Sequence, residues 1–134
     1  SQDQVTGEFC IRSALSTQQE MMNRRISALV QELGGHVIVR PGCPGWAFVP
    51  GSPLRECCCR AWQETTGSAA VVKISHAGAE CGLFAAAIPG LDAVAMGPTI
   101  TDVHTPRERL DAASADTVWQ CLCRVLEMLA AEGR

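Results

Sequence analysis

Tyrosine is absent from this sequence of 134 residues, and aromatic residues of all kinds make up only 4% of it. Leu, Val, Ile, Ala and Cys must then fill the interior, so we expect an aliphatic core. Also absent is any apolar run near the roughly 20 residues that cross a bilayer, and the polar start at residues 1–4 is unlike a signal peptide. These absences predict a soluble protein.

An excess of positive charge is also missing. The formal net charge is -3, and the basic residues are scattered along the chain. Binding to a phosphate backbone normally needs a basic patch or stripe, so nucleic acid is not an expected partner. The sequence also lacks a P-loop, a dinucleotide-binding fingerprint and a G-x-S-x-G element, and no cysteine lies in a recognisable activating context. These gaps leave no signature of nucleotide binding or of nucleophilic catalysis.

Eight cysteines are present, but none of them forms a C-x-x-C pair, the spacing that usually begins a structural zinc site. Cys57, Cys58 and Cys59 instead fall on a helical pattern with apolar neighbours, where thiols commonly act as small hydrophobic groups. This interpretation favours a reducing cytoplasm. A metal or redox protein based on cysteine is a competing hypothesis, and it predicts protected thiols that a chelator or a reductant releases.

The first third of the chain predicts a β-α-β unit. Residues 9–14 and 36–40 are typical of strands. Between them, Ser16 with Gln19 three residues later is a capping-box signature for a helix whose apolar residues recur at helical spacing and which a Gly-Gly pair ends. The next segment, residues 41–51, is dense in Pro and Gly and therefore predicts a domain boundary.

The remainder of the chain alternates helices with apolar strands. A helix is expected to begin at Ser52, which proline follows, and a last amphipathic helix is expected to begin at Ser114. Two short strands, at residues 69–74 and 91–96, flank a short helix at residues 80–86. The continuous apolar character of these strands suits a sheet that is covered on both faces. The alternation of strand and helix favours the α/β class.

Two loops that follow apolar strands carry polar residues, one at residues 75–82 and one at residues 97–109. Open α/β sheets place their ligand sites at the carboxyl ends of strands, so both segments are candidate functional loops. In the second loop, His104 is a candidate metal ligand that Asp102 would orient. The competing interpretation is that His104 is an ordinary loop residue that binds no metal, because histidines are common in charged loops.

Three other polar residues are candidates for a site in the first loop or beside it. His76 and Glu80 lie four residues apart and would share a helix face, although a capping glutamate and a hydrogen-bonded histidine meet the same spacing. Arg12 lies among apolar residues of a predicted strand, where an arginine is either a solvated charge or a fork that binds a carboxylate. From residue types alone, structural roles are the simpler interpretation for all three.

One series of motifs extends over nearly the whole chain. It consists of Ile11-Arg12-Ser13, Pro44-Gly45-Trp46, Ser52-Pro53-Leu54, the run from His76 to Phe84, Pro89-Gly90-Leu91-Asp92, Gly97-Pro98-Thr99-Ile100 and the run from Asp102 to Leu110. In order and spacing the series resembles the C-terminal part of the aminoacyl-histidine (Xaa-His) dipeptidases, which are metallopeptidases of the M20 family. The resemblance implies the second half of a β-α-β lid in residues 1–45 and the C-terminal part of the catalytic α/β domain in residues 46–134.

The same resemblance implies roles for individual residues. The family holds two zinc ions, and His104 corresponds to its last metal-ligand histidine. Arg12 corresponds to the lid arginine that binds the dipeptide carboxylate, and the loop around Gly78 corresponds to a backbone contact with the substrate. His76 and Glu80 match the motif without an assigned role. Zinc and a dipeptide are therefore the expected cofactor and substrate.

One departure from the family pattern is large. The family's other ligands and its general base lie in an N-terminal half, with an H-x-D motif and paired glutamates, that this sequence does not contain. Catalytic zinc ordinarily takes about three protein ligands, so one histidine cannot hold two ions. We therefore expect a fragment that is inactive alone, pairs with the missing N-terminal half of the catalytic domain and self-associates in isolation. A non-catalytic binding or regulatory module that keeps this architecture is the alternative.

Overall fold

Four α-helices and one pair of short strands form the regular structure of residues 4–75 and 80–133, the part of the chain that this computed structural model describes. In chain order the elements are α1 (Ser16–Glu32), α2 (Pro53–Thr66), α3 (Glu80–Ala87), β1 (Ile100–Thr101), β2 (Arg109–Leu110) and α4 (Ala112–Ala131). The combination of helices with a small sheet confirms the predicted α/β class.

The strands β1 and β2 are antiparallel, and they are the paired strands of the described residues. The four segments predicted to be strands are not strands in the structure: residues 9–14, 36–40, 69–74 and 91–96. A strand exists only where a neighbouring strand takes up its backbone hydrogen bonds, and an apolar run does not supply that neighbour. Of the predicted β-α-β unit, the helix is therefore confirmed and the flanking strands are not.

Helix α1 begins at Ser16 without a side-chain cap, so the predicted capping box is wrong. The side chain of Gln19 turns to the preceding loop instead, where its Nε2 donates to the carbonyl of Ser13 at 2.9 Å. The Ser16 hydroxyl accepts a hydrogen bond from the backbone N–H of Gly45 at 3.1 Å, which ties α1 to that segment. The predicted glycine end is confirmed, since Gly34 has a φ of 78° just beyond the helix.

Helices α2 and α4 both begin at a capping side chain. Ser52 is the predicted cap of α2, and its Oγ accepts from the N–H of Arg55 at 3.0 Å. The cap of α4 is Asp111 rather than Ser114, because the Asp111 carboxylate accepts from the N–H groups of Ala113 and Ser114. Ser114 lies inside the first turn, where its hydroxyl donates to the Asp111 carbonyl at 2.7 Å. The helix therefore starts two residues before the predicted cap.

The start of α2 is also held by Asp92, which lies 40 residues beyond Ser52 in the sequence. One carboxylate oxygen of Asp92 accepts from the Ser52 hydroxyl at 2.5 Å, and the other accepts from the N–H of Leu54 at 2.9 Å. Ser52 is only 3% exposed, so this bond lies where water has little access. Two motifs that are far apart in the sequence therefore meet at one helix N-terminus.

A small core forms where α2 packs on α4. Its buried members are cysteines and small aliphatic residues: Cys57, Cys58, Ala61, Cys121 and Val125. Partly buried apolar residues surround them: Leu54, Trp62, Val94, Met128 and Leu129. All eight cysteines are free thiols, and none of them is in a disulfide. Three of these thiols, Cys57, Cys58 and Cys121, therefore act as small hydrophobic groups. The prediction is confirmed for Cys57 and Cys58, whereas Cys59, which was predicted with them, is only partly buried and lies outside the core.

The chain divides into two compact units. The first unit contains Ser1–Phe48 and Ile74–Gly90, and the second contains Val49–Lys73 and Leu91–Arg134. The α2–α4 core lies in the second unit, whereas α1 and α3 lie in the first. The assignment of residues 1–45 to a lid and of residues 46–134 to a catalytic domain stays a prediction. No helix within the described ranges has the length and apolar character that crossing a membrane requires.

Candidate functional site

The loop that joins β1 to β2, residues 102–108, has an unusual backbone. Asp102 and His104 have φ values of 51° and 63°, and they are the described residues other than glycine with positive φ. This left-handed conformation is uncommon for a residue that has a Cβ atom, and such residues cluster at functional sites. The predicted metal ligand therefore lies at the most strained part of its loop.

Hydrogen bonds within the loop hold this conformation. The carbonyl of Asp102 accepts from the N–H of Thr105 at 3.1 Å and from the Thr105 hydroxyl at 2.7 Å. The N–H of Glu108 donates to the carbonyl of Thr105 at 3.0 Å. The N–H of His104 donates to Oε2 of Glu108 at 2.7 Å, a short bond to a charged acceptor. The turn is thus closed at both ends, and Thr105 lies at its centre.

Glu108 is the carboxylate that contacts His104, and the sequence analysis missed it in favour of Asp102. Asp102 takes part in the loop through its backbone carbonyl. The available signal was the four-residue spacing from His104 to Glu108 across a Thr-Pro turn, which brings an acidic side chain back to the start of the turn. The helical and strand periods of the sequence do not predict such a turn, because no helix or strand spans it.

The imidazole of His104 is exposed on this loop. Within residues 4–75 and 80–133, no three His, Cys, Asp or Glu side chains come together as a group that would hold a metal ion. A catalytic zinc ion ordinarily takes about three protein ligands. The described residues alone therefore do not fit the two-zinc site that the resemblance implies, and His104 stands as a single candidate ligand.

Arg12 lies in the first unit and is exposed. A hydrogen bond to the side chain of Cys10, together with the nearby thiols of Cys10 and Cys43, raises the pKa of the Arg12 guanidinium above its ordinary value. An exposed guanidinium that stays charged at every physiological pH remains available to bind an anion.

The other candidates of the first unit lie in or before α3. Glu80 is the first residue of α3 and is exposed there, where a negative charge interacts favourably with the positive end of the helix dipole. This position agrees with the structural interpretation of Glu80. His76 and Gly78 lie outside the described residues, so their predicted roles stay predictions. His104 belongs to the second unit, and the structure describes it separately from Arg12 and Glu80.

Two glycines let the motifs of the first unit approach one another. A Cβ atom on Gly82 of α3 would lie 2.9 Å from the carbonyl oxygen of Pro44, and one on Gly45 would lie 2.5 Å from the carbonyl oxygen of Ala14. Both distances are too short for any side chain, because the opposing atoms are backbone. The Pro44-Gly45-Trp46 motif therefore packs between α3 and the residues just after Arg12. Both glycines lie in motifs that were named from the sequence, but this contact was not predicted.

A shallow depression of about 360 Å³ lies in the second unit, near the start of α4. Its lining includes Trp62, Thr99, Asp111 and Thr117. The Asp111 carboxylate in this lining already accepts two backbone N–H groups of α4, and Thr99 donates to the hydroxyl of Ser114. The Asp111 carboxylate, the Thr99 N–H and the Ser114 hydroxyl are thus engaged at the start of the helix, and His104 is not among the lining residues.

Comparison with known proteins bears on the predicted family. No family model matches this chain. The cytosol non-specific dipeptidase of Escherichia coli (strain K12) is 30% identical to it over 122 residues. That alignment covers 91% of this chain and 25% of the relative, so the chain spans about a quarter of the length of the protein that it matches. The prediction of a dipeptidase relationship is supported at that level: over nine-tenths of its length, this chain is similar to a cytosolic dipeptidase.

Proposed function

We propose that this chain is part of a metal-dependent dipeptidase that cleaves unblocked dipeptides in the cytoplasm. The observation that carries the proposal is the likeness to the cytosol non-specific dipeptidase, which extends over 122 residues without being confined to one motif. The match covers 91% of this chain, and the chain contains both candidate functional loops. Histidine or a similar residue at the C-terminal side of the dipeptide is the preference that the motif resemblance implies.

In this proposal His104 supplies one ligand to a centre of two zinc ions. Its left-handed backbone and the short bond from its N–H to Glu108 support the role, because a ligand needs a fixed direction and this loop is held by five internal hydrogen bonds. The bound zinc would polarise the peptide carbonyl and activate a water molecule. The remaining ligands and the general base belong to a polypeptide with the H-x-D motif and the paired glutamates.

Substrate binding is assigned to the first unit. Arg12 binds the dipeptide carboxylate, which a planar guanidinium accommodates with two parallel hydrogen bonds. The loop around Gly78 supplies a backbone contact, and His76 and Glu80, which is the first residue of α3, are further candidates. The exposed position of Arg12 supports this role, since a guanidinium is charged at every physiological pH and an exposed one is accessible to the substrate.

The chain is also proposed to be inactive alone and to need a partner polypeptide, which is the missing N-terminal half of the catalytic domain. Large apolar side chains that are more than half exposed support a partner in each unit: Phe9, Leu33, Ile38, Val71, Trp119 and Leu126. A monomeric soluble protein rarely leaves so many large apolar groups in water. When the partner is absent, the same groups favour self-association of this chain.

The test compares the chain alone with the chain mixed with a polypeptide that carries the H-x-D motif and the paired glutamates. Hydrolysis of an Xaa-His dipeptide and of a dipeptide without histidine is measured with added zinc and after treatment with a chelator. We expect activity only in the mixture with zinc. In that mixture, His104→Ala should lower kcat/KM by about 100-fold or more, as expected for loss of a metal ligand, while Arg12→Ala should mainly raise KM.

Two results contradict parts of the proposal. Hydrolysis by the purified chain alone removes the requirement for a partner. A mixture that associates, yet hydrolyses neither dipeptide in the presence of zinc, favours the non-catalytic binding or regulatory module. A matched control is Arg107→Ala, which removes a charge from the His104 loop without removing a proposed ligand, and it should keep the activity of the mixture.

A further inference from the structure

We propose that Glu108 is a positioning residue whose carboxylate sets the backbone conformation of His104, and through it the direction of the imidazole. This inference rests on the proposed function only in one respect, namely that the direction of His104 matters for activity. The contact itself is a property of this chain. It joins the backbone N–H of His104 to Oε2 of Glu108 at 2.7 Å.

His104 needs such a contact because its φ of 63° is unfavourable for a residue with a Cβ atom. The other hydrogen bonds of the loop close the turn around Thr105, and they involve Asp102, Arg107 and Glu108. The bond from Glu108 is the one that reaches the backbone of His104 itself. Loss of this bond would leave the strained residue without the interaction that opposes its return to a common conformation.

Glu108 is well placed to hold the loop because its own backbone is fixed. It precedes Arg109 of β2, which lies opposite Thr101 of β1 in the antiparallel pair. Its N–H also donates to the carbonyl of Thr105 at 3.0 Å. The carboxylate therefore extends from the base of the strand pair back to the first half of the turn, and it links His104 to the sheet.

The conformation of the backbone decides where the side chain starts. A change of φ from the left-handed region to the extended region redirects the bond from Cα to Cβ, and no choice of side-chain rotamer restores the original direction. A histidine that binds a metal or a substrate must present one ring nitrogen in a fixed direction. Glu108 would thus act on the site without touching the ligand.

The experiment uses this chain by itself and compares Glu108→Ala, Glu108→Gln and the control Arg107→Ala with the unmodified protein. NMR spectroscopy reports the amide exchange rate of His104, the coupling between its amide and α protons, and the chemical shifts of its ring. Thermal unfolding reports global stability. In Glu108→Ala we expect exchange at His104 to accelerate about tenfold, as loss of a hydrogen bond to a charged acceptor implies.

The conservative variant separates positioning from general stabilisation. Glu108→Gln keeps an acceptor oxygen but loses the charge, so it should show about a threefold acceleration at His104, between the unmodified protein and Glu108→Ala. Arg107→Ala should leave the His104 signals unchanged. Unfolding midpoints within about 2 °C of the unmodified protein are expected for all three, because the loop is exposed and contributes no residue to the α2–α4 core.

Two outcomes overturn the inference. One is unchanged exchange, coupling and ring shifts of His104 in Glu108→Ala. The other is an equal change at His104 and at the core amides, which would assign Glu108 a general structural role. Neither measurement depends on hydrolysis, so a failure of the proposed dipeptidase activity leaves this test readable, and a failure of this test leaves the proposed activity standing.

Discussion

Helix α1 and the pair formed by α2 and α4 have similar apolar periodicity, yet they end in different environments. The α2–α4 pair contains the five buried apolar residues of the core, whereas α1 contains no buried residue, and Leu29 near its end is 62% exposed. Most of the stability of a helix in a protein comes from packing of its apolar face. Apolar periodicity therefore gives a helix an apolar face, but whether that face is buried depends on the segments that pack against it.

The two regions also differ in how their helices begin. Helix α2 begins at the hydroxyl of its serine cap and is also held by the carboxylate of Asp92, while α1 begins without a side-chain cap. Capping and packing therefore coincide in the second unit. Asp92 is distant from α2 in the sequence, so its carboxylate holds the start of this helix only when the intervening chain is folded. Asp92 therefore couples the start of α2 to the residues around Asp92.

The largest expected effect is on the core between α2 and α4. Val125 is 4% exposed, and Val125→Asp would bury a charge without a partner, which should lower the free energy of unfolding by about 3 kcal/mol or more. Urea denaturation followed by circular dichroism measures this change. If Val125→Asp does not fold, Val125→Ala provides a milder test with an expected loss of about 2 kcal/mol.

Two control variants test whether α1 is less well packed than the α2–α4 pair. Leu126→Asp on α4 and Leu29→Asp on α1 alter exposed apolar residues, and each should change stability by no more than about 0.5 kcal/mol. A loss at Leu29 as large as the loss at Val125 would mean that α1 is packed in solution. The contrast between the two regions would then be wrong.

The second effect concerns the start of α2. Asp92→Ala removes the acceptors of the Ser52 hydroxyl and of the Leu54 N–H and leaves a nearly buried hydroxyl without that partner, so we expect a loss of about 2 kcal/mol. The matched variant is Asp111→Ala, which removes a local cap of α4 at an exposed position and should cost about 1 kcal/mol. Chemical denaturation of both variants ranks the two carboxylates. An equal or larger loss for Asp111→Ala would contradict the long-range role of Asp92.

The third effect is a dependence of stability on pH. Burial in the core raises the pKa of the Cys58 thiol from an ordinary value of 9.0 to about 11, with a smaller contribution from the neighbouring thiols. Above pH 9 the unfolded chain releases this proton while the folded chain retains it, so the free energy of unfolding should decrease from about pH 9 to pH 11. Denaturation at a series of pH values, with Cys58→Ala as the control, measures the decrease. A slope that is equally steep in Cys58→Ala would assign it to other groups.

Several features were predictable because their causes are local. Ser52 followed by proline, and the glycine after α1, act within one turn of helix, so both helix ends were confirmed. The hydrophobic role of Cys57 and Cys58 followed from helical spacing. The Ser114 cap was wrong because Asp111, three residues earlier, caps the helix through the N–H groups of Ala113 and Ser114, so Ser114 is already inside the first turn.

The candidate residues of the site were named from the sequence and stay predictions, whereas their geometry was not predicted. His104 was chosen from its chemistry and from a resemblance, but its left-handed backbone and its contact with Glu108 depend on how the turn closes. The approach of Pro44 to Gly82 joins segments that lie 38 positions apart in the sequence. No pattern with a period of two or of 3.6 residues carries that information.

The amino-acid sequence alone determined the helices and the glycine ends of α1 and α2, because these depend on interactions within a few positions along the chain. The tertiary structure decided which apolar faces are buried, which segments pair as strands and which carboxylate holds His104. Those outcomes require groups that are distant in the sequence to meet. A segment with no neighbouring strand and a helix whose apolar face is not buried keep their sequence pattern but not the environment it predicts, which is why α1 and α4 differ.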